Sequence, residues 1–349
     1  MSRDTAAGAE IFVCGDTGQT LLLDRIAATL AAEGHRIVRG PVDDHGQLRQ
    51  YDAAERARLF ATTDVAVFTT RHACSRAVMA EAPRLRGVCY PVTGVETLDL
   101  AAATDLGIIV GHGAVPENTV GMAEATLMLM LMLLYDVEHH VARLRDGGWR
   151  RPAPATRQLA GKTVGLLGFG RIARELATRL QPFGVRLLVC SPRTAAADLP
   201  AGAHKVDLPT LLRESDIVSL LTGLTAETRH MIGAAEFTLM KPDALLVNTG
   251  RGEIVDEAAL VDALRDRRIG GAALDAFATE PLPADSPLRT LDNVILTPHC
   301  VGHTREGMAA IEPMLVANIR NILAGVLPPV CKNPEAEAAW RDRLARLDP

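Results

Sequence analysis

The stretch from Lys162 to Leu180 constrains this chain more than any other. A short apolar run, Thr163-Val-Gly-Leu-Leu167, meets a turn built on Gly168-Phe169-Gly170. The turn passes directly into the helical pattern Arg171-Ile-Ala-Arg-Glu-Leu-Ala-Thr-Arg-Leu180. A strand feeding a helix through a Gly-x-Gly turn belongs to a parallel sheet covered by helices. Gly168 suits the tight turn, Gly170 lets backbone approach a ligand, and Ala173 lets helix pack on strand. The helix start offers N–H groups and the positive end of the macrodipole, so the motif points to the pyrophosphate of a dinucleotide. Gly168, Gly170, Arg171 and Ile172 are therefore candidate cofactor contacts. A glycine turn alone is a weak signal; the strand and helix on either side give it weight.

The rest of the chain repeats the same alternation. Before the motif, apolar runs at Ile11–Cys14, Val65–Phe68, Gly87–Cys89 and Ile108–Val110 read as strands, with helical patterns such as Leu21–Ala32 and Asp99–Thr104 between them. A long helix is expected from about Asn118 to Arg145, stopped by Gly147-Gly148, and the stretch from Arg151 to Thr156 reads as loop. After the motif, strands are expected at Arg186–Cys190, Ile217–Leu221, Ala244–Asn248, Ala272–Asp275 and Val294–Leu296, then a final helix from Thr304 to Leu323. Two such series in 349 residues fit two doubly wound α/β domains better than one core.

Composition narrows the partners. A net charge of −5 argues against nucleic acid, which would call for a basic face. The run Ala125–Tyr135 is wholly apolar but shorter than the roughly 20 residues of a membrane span, so it reads as a buried helix at a domain or subunit interface. No signal peptide is apparent, and Met1–Glu10 reads as frayed. Six scattered cysteines without a Cys-x-x-Cys pair suit reduced thiols in a cytoplasmic protein. His139-His140 and Asp43-Asp44-His45 lack partner ligands and read as solvated surface, so no metal site is expected. Cys300 reads as a bystander.

The strand after the dinucleotide turn runs to Cys190 and continues as Ser191-Pro-Arg193-Thr194. An Asp or Glu here would hold the 2′-hydroxyl of NAD; a hydroxyl and a guanidinium suit the 2′-phosphate of NADP instead. NADP is favoured, with NAD as the alternative should Arg193 be a solvated surface residue.

Three polar residues stand at or just beyond the carboxyl ends of the later strands, where ligands of such sheets gather. They are Arg251 in Asn248-Thr-Gly-Arg-Gly252, Glu280 ahead of Pro281, and His299 after Pro298. A guanidinium can bind a carboxylate, and an imidazole paired with a carboxylate can move a proton.

In this order the motifs resemble the D-isomer-specific 2-hydroxyacid dehydrogenases, the family of phosphoglycerate dehydrogenase and glyoxylate/hydroxypyruvate reductase. Gly94-Val-Glu-Thr-Leu-Asp99 and Pro116-Glu-Asn-Thr-Val-Gly-Met-Ala-Glu124 are also similar to the family, so the likeness covers nearly the whole chain. It implies that Arg251 binds the substrate carboxylate and carbonyl oxygen, that His299 is the acid in reduction and base in oxidation, and that Glu280 holds the far ring nitrogen. It further implies that Asp275 contacts the nicotinamide carboxamide, with Thr249 and Gly302 also on the cofactor. Backbone around Thr93 and Gly94 would complete the carboxylate site, and Arg71 would add a distal contact. The chain departs from the family at Leu221-Thr-Gly223, where His and Pro are common, at Glu96 for Asp, and at Gly250 for Ala.

The implied architecture is a Rossmann NAD(P) domain (114–304) inserted into a flavodoxin-like substrate domain (1–113 with 305–349), with a small 2-keto or 2-hydroxy acid in the cleft. A symmetric homodimer is expected through the apolar helix. The implied activity is hydride transfer between the nicotinamide and C2 of the acid. The alternatives are a formate dehydrogenase-like enzyme, expected to carry Gln at position 280, and a non-enzymatic, corepressor-like protein that senses dinucleotide on the same scaffold.

Overall fold

The computed structural model describes residues 8–42, 47–150 and 156–347. Asp43-Asp44-His45 and nearly all of the loop at 151–156 lie outside the described residues, as does most of the chain start. Glu10, expected to be frayed, instead opens the first strand and is buried, accepting from Thr62 and paired with Arg36.

Two compact units emerge, Met1–Asn118 with Thr304–Pro349, and Thr119–His303. In the first, β1 (Glu10–Gly15), α1 (Thr20–Ala32), β2 (Arg36–Val42), α2 (Ala53–Phe60), β3 (Val65–Val67), α3 (Arg76–Ala80), β4 (Gly87–Tyr90), α4 (Leu100–Asp105) and β5 (Ile109–His112) alternate without exception. Their five strands form one parallel sheet in the order β2-β1-β3-β4-β5. Strand β2 is absent from the sequence-based expectation. Its sequence Arg-Ile-Val-Arg-Gly-Pro-Val mixes charge and apolar residues, as an edge strand can, and Pro41 is tolerated there.

The expected single helix from 118 to 145 is two helices, α5 (Pro116–Leu134) and α6 (Val137–Arg145). Asp136 breaks them with a left-handed φ of 50°, a conformation that Asp tolerates better than most residues. Helix α5 is 19 residues long with a mean hydropathy of 1.2 over its most apolar window, enough by length and composition to cross a membrane, and 39% of that window is buried. Its Leu129, Met130 and Leu134 enter the core of the second unit, while Met128 stays exposed.

The second unit continues with β6 (Thr163–Leu167), α7 (Arg171–Leu180), β7 (Arg186–Cys190), β8 (Ala203–Lys205), α8 (Leu208–Glu214), β9 (Ile217–Leu220), α9 (Ala234–Leu239), β10 (Leu245–Asn248), α10 (Glu257–Arg265), β11 (Gly271–Leu274) and β12 (Val294–Leu296). All seven strands are parallel, ordered β12-β11-β10-β9-β6-β7-β8. Successive side chains of a strand point to opposite faces, and here both faces are buried. Leu246 joins the cluster of Leu211, Phe237 and Leu260, whereas Leu245 and Val247 join that of Met130 and Leu176. That is why these strands read as unbroken apolar runs. Strand order reverses between β6 and β9, which makes the crevice beyond their carboxyl ends the expected place for a ligand.

The chain then returns to the first unit through α11 (Arg305–Leu323), capped by Thr304, and α12 (Glu337–Leu347). Helix α12 is also absent from the sequence-based expectation. It is mostly polar, and Trp340 is its fully buried anchor, donating from its indole to the Arg86 carbonyl.

Candidate active site

The β6–α7 turn sets the phosphate end of the second unit. Gly168 has φ +94°, and a Cβ there would fall 2.8 Å from the Thr222 nitrogen and 2.9 Å from the Leu221 carbonyl carbon. Only glycine meets both demands. Gly170 is the N-cap of α7 with nothing within 4 Å of its missing side chain, and no side chain caps the helix. Arg171 and Ile172 follow as its first residues, and Ala173 is fully buried, giving the close helix–strand contact. Uncapped N–H groups facing open space fit a pyrophosphate.

At the end of β7, the Ser191 and Thr194 hydroxyls lie 2.9 Å apart and both residues are buried. Lys205, on β8, donates to the Thr194 carbonyl at 2.6 Å. Arg193 projects from this turn into solvent. The turn thus carries one cation and no carboxylate of its own, and Lys205, a residue that sequence reasoning missed, adds a second cation from β8.

The end of β10 carries Arg251. Asn248 is buried and uses both ends of its amide: Oδ1 accepts from Gly250 N at 3.0 Å and Nδ2 donates to the Arg251 carbonyl at 3.0 Å. Arg251 is half-buried, and its Nη1 donates to the Gly250 carbonyl. The Thr249 hydroxyl is bonded to Thr126 on α5, so that side chain braces the loop. A Cβ on Gly250 would come within 3.1 Å of the Leu220 carbonyl and 3.2 Å of the Thr222 carbonyl, which gives a steric reason for Gly where the family often has Ala.

Asp275 follows β11 and is almost fully buried. Its Oδ1 accepts from Thr297 Oγ1 (2.7 Å), Cys300 N (3.1 Å) and Val301 N (3.2 Å). Oδ2 makes no such bond among the described residues. Burial pushes this carboxyl above its ordinary range, against the pull of those three donors. The same bonds fix the 297–301 segment on which His299 stands.

His299 adopts a left-handed backbone with φ +53°, which turns its ring back toward Glu280. Both Glu280 oxygens lie 2.8 Å from Nδ1, and Oε1 also accepts from Phe277 N at 3.1 Å. A carboxylate can only accept, so the proton sits on Nδ1 and Nε2 is the nitrogen that exchanges protons. Nε2 makes no hydrogen bond among the described residues, and the side chain is 39% exposed. The neighbouring Cys300 is exposed, but desolvation lifts its thiol, so it is not an activated nucleophile. A Cβ on Gly302 would meet the Met122 sulfur at 2.0 Å, so that glycine serves close packing against α5.

Thr93, Gly94 and Arg71 belong to the first unit. Gly94 is buried, Thr93 and Arg71 are half-buried, and the loop is tied back by Gly113 N donating to the Val92 carbonyl at 3.0 Å. Sequence reasoning missed Asn248, Thr126 and Thr297, although Asn248 stands in the same motif as Arg251.

Residues 127–301 match the model of the D-isomer specific 2-hydroxyacid dehydrogenase, NAD binding domain. The chain is 40% identical over 266 residues to a glyoxylate reductase of Aeropyrum pernix, covering 74% of this chain and 79% of that protein. It is 38% identical over 288 residues to an (S)-sulfolactate dehydrogenase of Chromohalobacter salexigens, covering 81% and 89%. Among solved structures, the TT0316 protein of Thermus thermophilus superposes with a TM-score of 0.79 at 32% identity, over 92% of this chain and 99% of that one.

Proposed function

This chain belongs to the D-isomer specific 2-hydroxyacid dehydrogenase family, an oxidoreductase with a nicotinamide-dinucleotide domain, and on that premise we propose that it reduces a small 2-keto acid to the D-2-hydroxy acid. The pairing of Glu280 with His299 Nδ1, which leaves Nε2 for proton exchange, carries the reading.

A bound nicotinamide would supply the hydride to C2 of the acid in reduction and accept it in oxidation. Arg251 holds the substrate carboxylate and polarises its carbonyl, a task for a guanidinium that stays charged and can donate two parallel bonds. His299 delivers a proton from Nε2 to the carbonyl oxygen as C2 is reduced, and recovers it in the reverse direction. Glu280 stabilises the imidazolium and fixes the ring. Oδ2 of Asp275 would accept from the carboxamide of a bound cofactor, and Gly168, Gly170, Arg171 and Ile172 would hold its pyrophosphate through backbone. Thr93, Gly94 and Arg71 are further substrate contacts in this reading, and Thr249 and Gly302 would border a bound cofactor through backbone.

Ser191, Arg193 and the cation at Lys205 support NADP as the preferred cofactor. The exposed apolar residues Met128, Tyr135, Val137, Val141, Leu144 and Trp149 on and after α5 and α6 support a homodimer. Six unpaired thiols support a cytoplasmic location.

A spectrophotometric assay with NADPH or NADH and glyoxylate, hydroxypyruvate or phenylpyruvate tests the function. Oxidation of NADPH that depends on at least one of these acids is the expected result. Tight nucleotide binding without turnover of any 2-keto acid would favour the corepressor-like reading instead.

A further inference from the structure

The proposed reaction needs Arg251, Glu280 and His299, which stand on the three loops after β10, β11 and β12, to keep a fixed spacing. We propose that Gly252 and Glu257 are positioning residues that bind those loops into one body, an inference that rests on the reductase reading of this site.

Gly252 is buried, and a Cβ there would fall 1.9 Å from the Phe277 carbonyl carbon, 2.1 Å from its oxygen and 2.4 Å from Ala278 N. These are backbone atoms, so no rotamer change makes room. Any side chain at 252 must push the Arg251 segment away from the 277–278 peptide. A second tie lies beside the first. Glu257, in the first turn of α10, accepts at Oε2 from Ala278 N at 3.0 Å. The preceding amide, Phe277 N, donates to Glu280 Oε1. Two consecutive N–H groups are therefore taken by two glutamates, one fixed to the Arg251 side and the other holding His299.

The consequence is mechanical. The guanidinium that receives the carboxylate and the imidazole that exchanges the proton are both referred to Phe277, through the two adjacent peptides that meet at that residue. A displacement of about 1 Å between such groups can cost on the order of 10²-fold in rate. Neither Gly252 nor Glu257 is assigned contact with substrate or with the reacting atoms; both act through Arg251 and Glu280.

Three variants test this, Glu257→Ala, Glu257→Gln and Gly252→Ala, each assayed for reduction of the 2-keto acid that the wild-type protein turns over fastest. Glu257→Ala is expected to lose about tenfold in kcat with unchanged NADPH and NADH affinity by fluorescence titration. Glu257→Gln, whose amide oxygen still accepts from Ala278 N, recovers most of that loss. Gly252→Ala loses on the order of 10²-fold in kcat/KM. Hydrogen–deuterium exchange over 276–280 reads the clamp without substrate and is expected to quicken in Glu257→Ala but not in Glu257→Gln. Unchanged kcat in Glu257→Ala, or a Gln variant as impaired as the Ala variant, overturns the proposal. So does unaltered exchange. Should Gly252→Ala fail to fold, the two Glu257 variants decide alone. Quickened exchange in Glu257→Ala alongside a wild-type protein that reduces no 2-keto acid overturns the reading of the site and leaves the clamp standing.

Discussion

His72, beyond β3 in the first sheet, and His299, beyond β12 in the second, carry the same side chain in opposite surroundings. His72 is fully buried, with Nδ1 2.7 Å from the Tyr51 hydroxyl and Nε2 2.5 Å from the Gly15 carbonyl. A carbonyl only accepts, so Nε2 carries the hydrogen and Nδ1 accepts from the tyrosine. Both nitrogens of a neutral ring are committed, and no lone pair is left to take a proton. His299 has a carboxylate on one nitrogen, partial exposure, and a second nitrogen with no hydrogen bond among the described residues. The difference lies in what would let an imidazole serve as the proposed acid and not as a brace: one nitrogen anchored by a negative charge and the other left without a hydrogen bond among the described residues.

The comparison can be broken most sharply at His299. Replacing it with Ala is expected to lower turnover by about 10²- to 10⁴-fold while fluorescence titration still shows nucleotide binding. Turnover equal to wild type would remove His299 from the mechanism.

A smaller effect is expected at Asp275, which positions the His299 segment. Asp275→Asn keeps an oxygen for the three donors but replaces the acceptor proposed for the carboxamide with an amide donor. Nucleotide affinity should fall by about tenfold without loss of thermal stability at neutral pH. The sign follows from burial. The folded protein holds the Asp275 proton more tightly than the unfolded chain does, so ionisation costs stability above the raised value and costs nothing below the ordinary 3.8. The variant's Tm should therefore equal or exceed that of wild type at neutral pH, and the difference should close as pH falls toward 3.8. A lower Tm for Asp275→Asn at neutral pH would contradict this.

The smallest kinetic effect belongs to His72. In His72→Ala the Tyr51 hydroxyl and the Gly15 carbonyl lose their partner, at about 1–3 kcal/mol for each group left unsatisfied. A drop in Tm with unchanged kcat per folded molecule is expected; a large fall in kcat at unchanged Tm would make His72 more than a brace.

The three residues proposed for the chemistry stand out in the sequence because each lies in or beside a short motif at the end of an apolar run. Buried parallel strands are apolar on both faces, so β6, β7 and β10 announced themselves within a residue or so. What escaped notice were edges and cross-ties. Strands β2 and β8 lie at sheet edges and lack a continuous apolar run. The break at Asp136 carries no Gly or Pro to mark it. Asn248, Thr126, Thr297, Gly252 and Glu257 act through bonds or contacts set by the folded loops, which no local period encodes.

The left-handed backbone at His299 sets chemistry against foldedness at one position. An L-residue with φ +53° forfeits about 1 kcal/mol that glycine would not. Glycine there would relieve that cost, and in the proposed mechanism it would remove the acid with it. In the proposed mechanism that strain is the cost of holding a proton donor at this point of the loop.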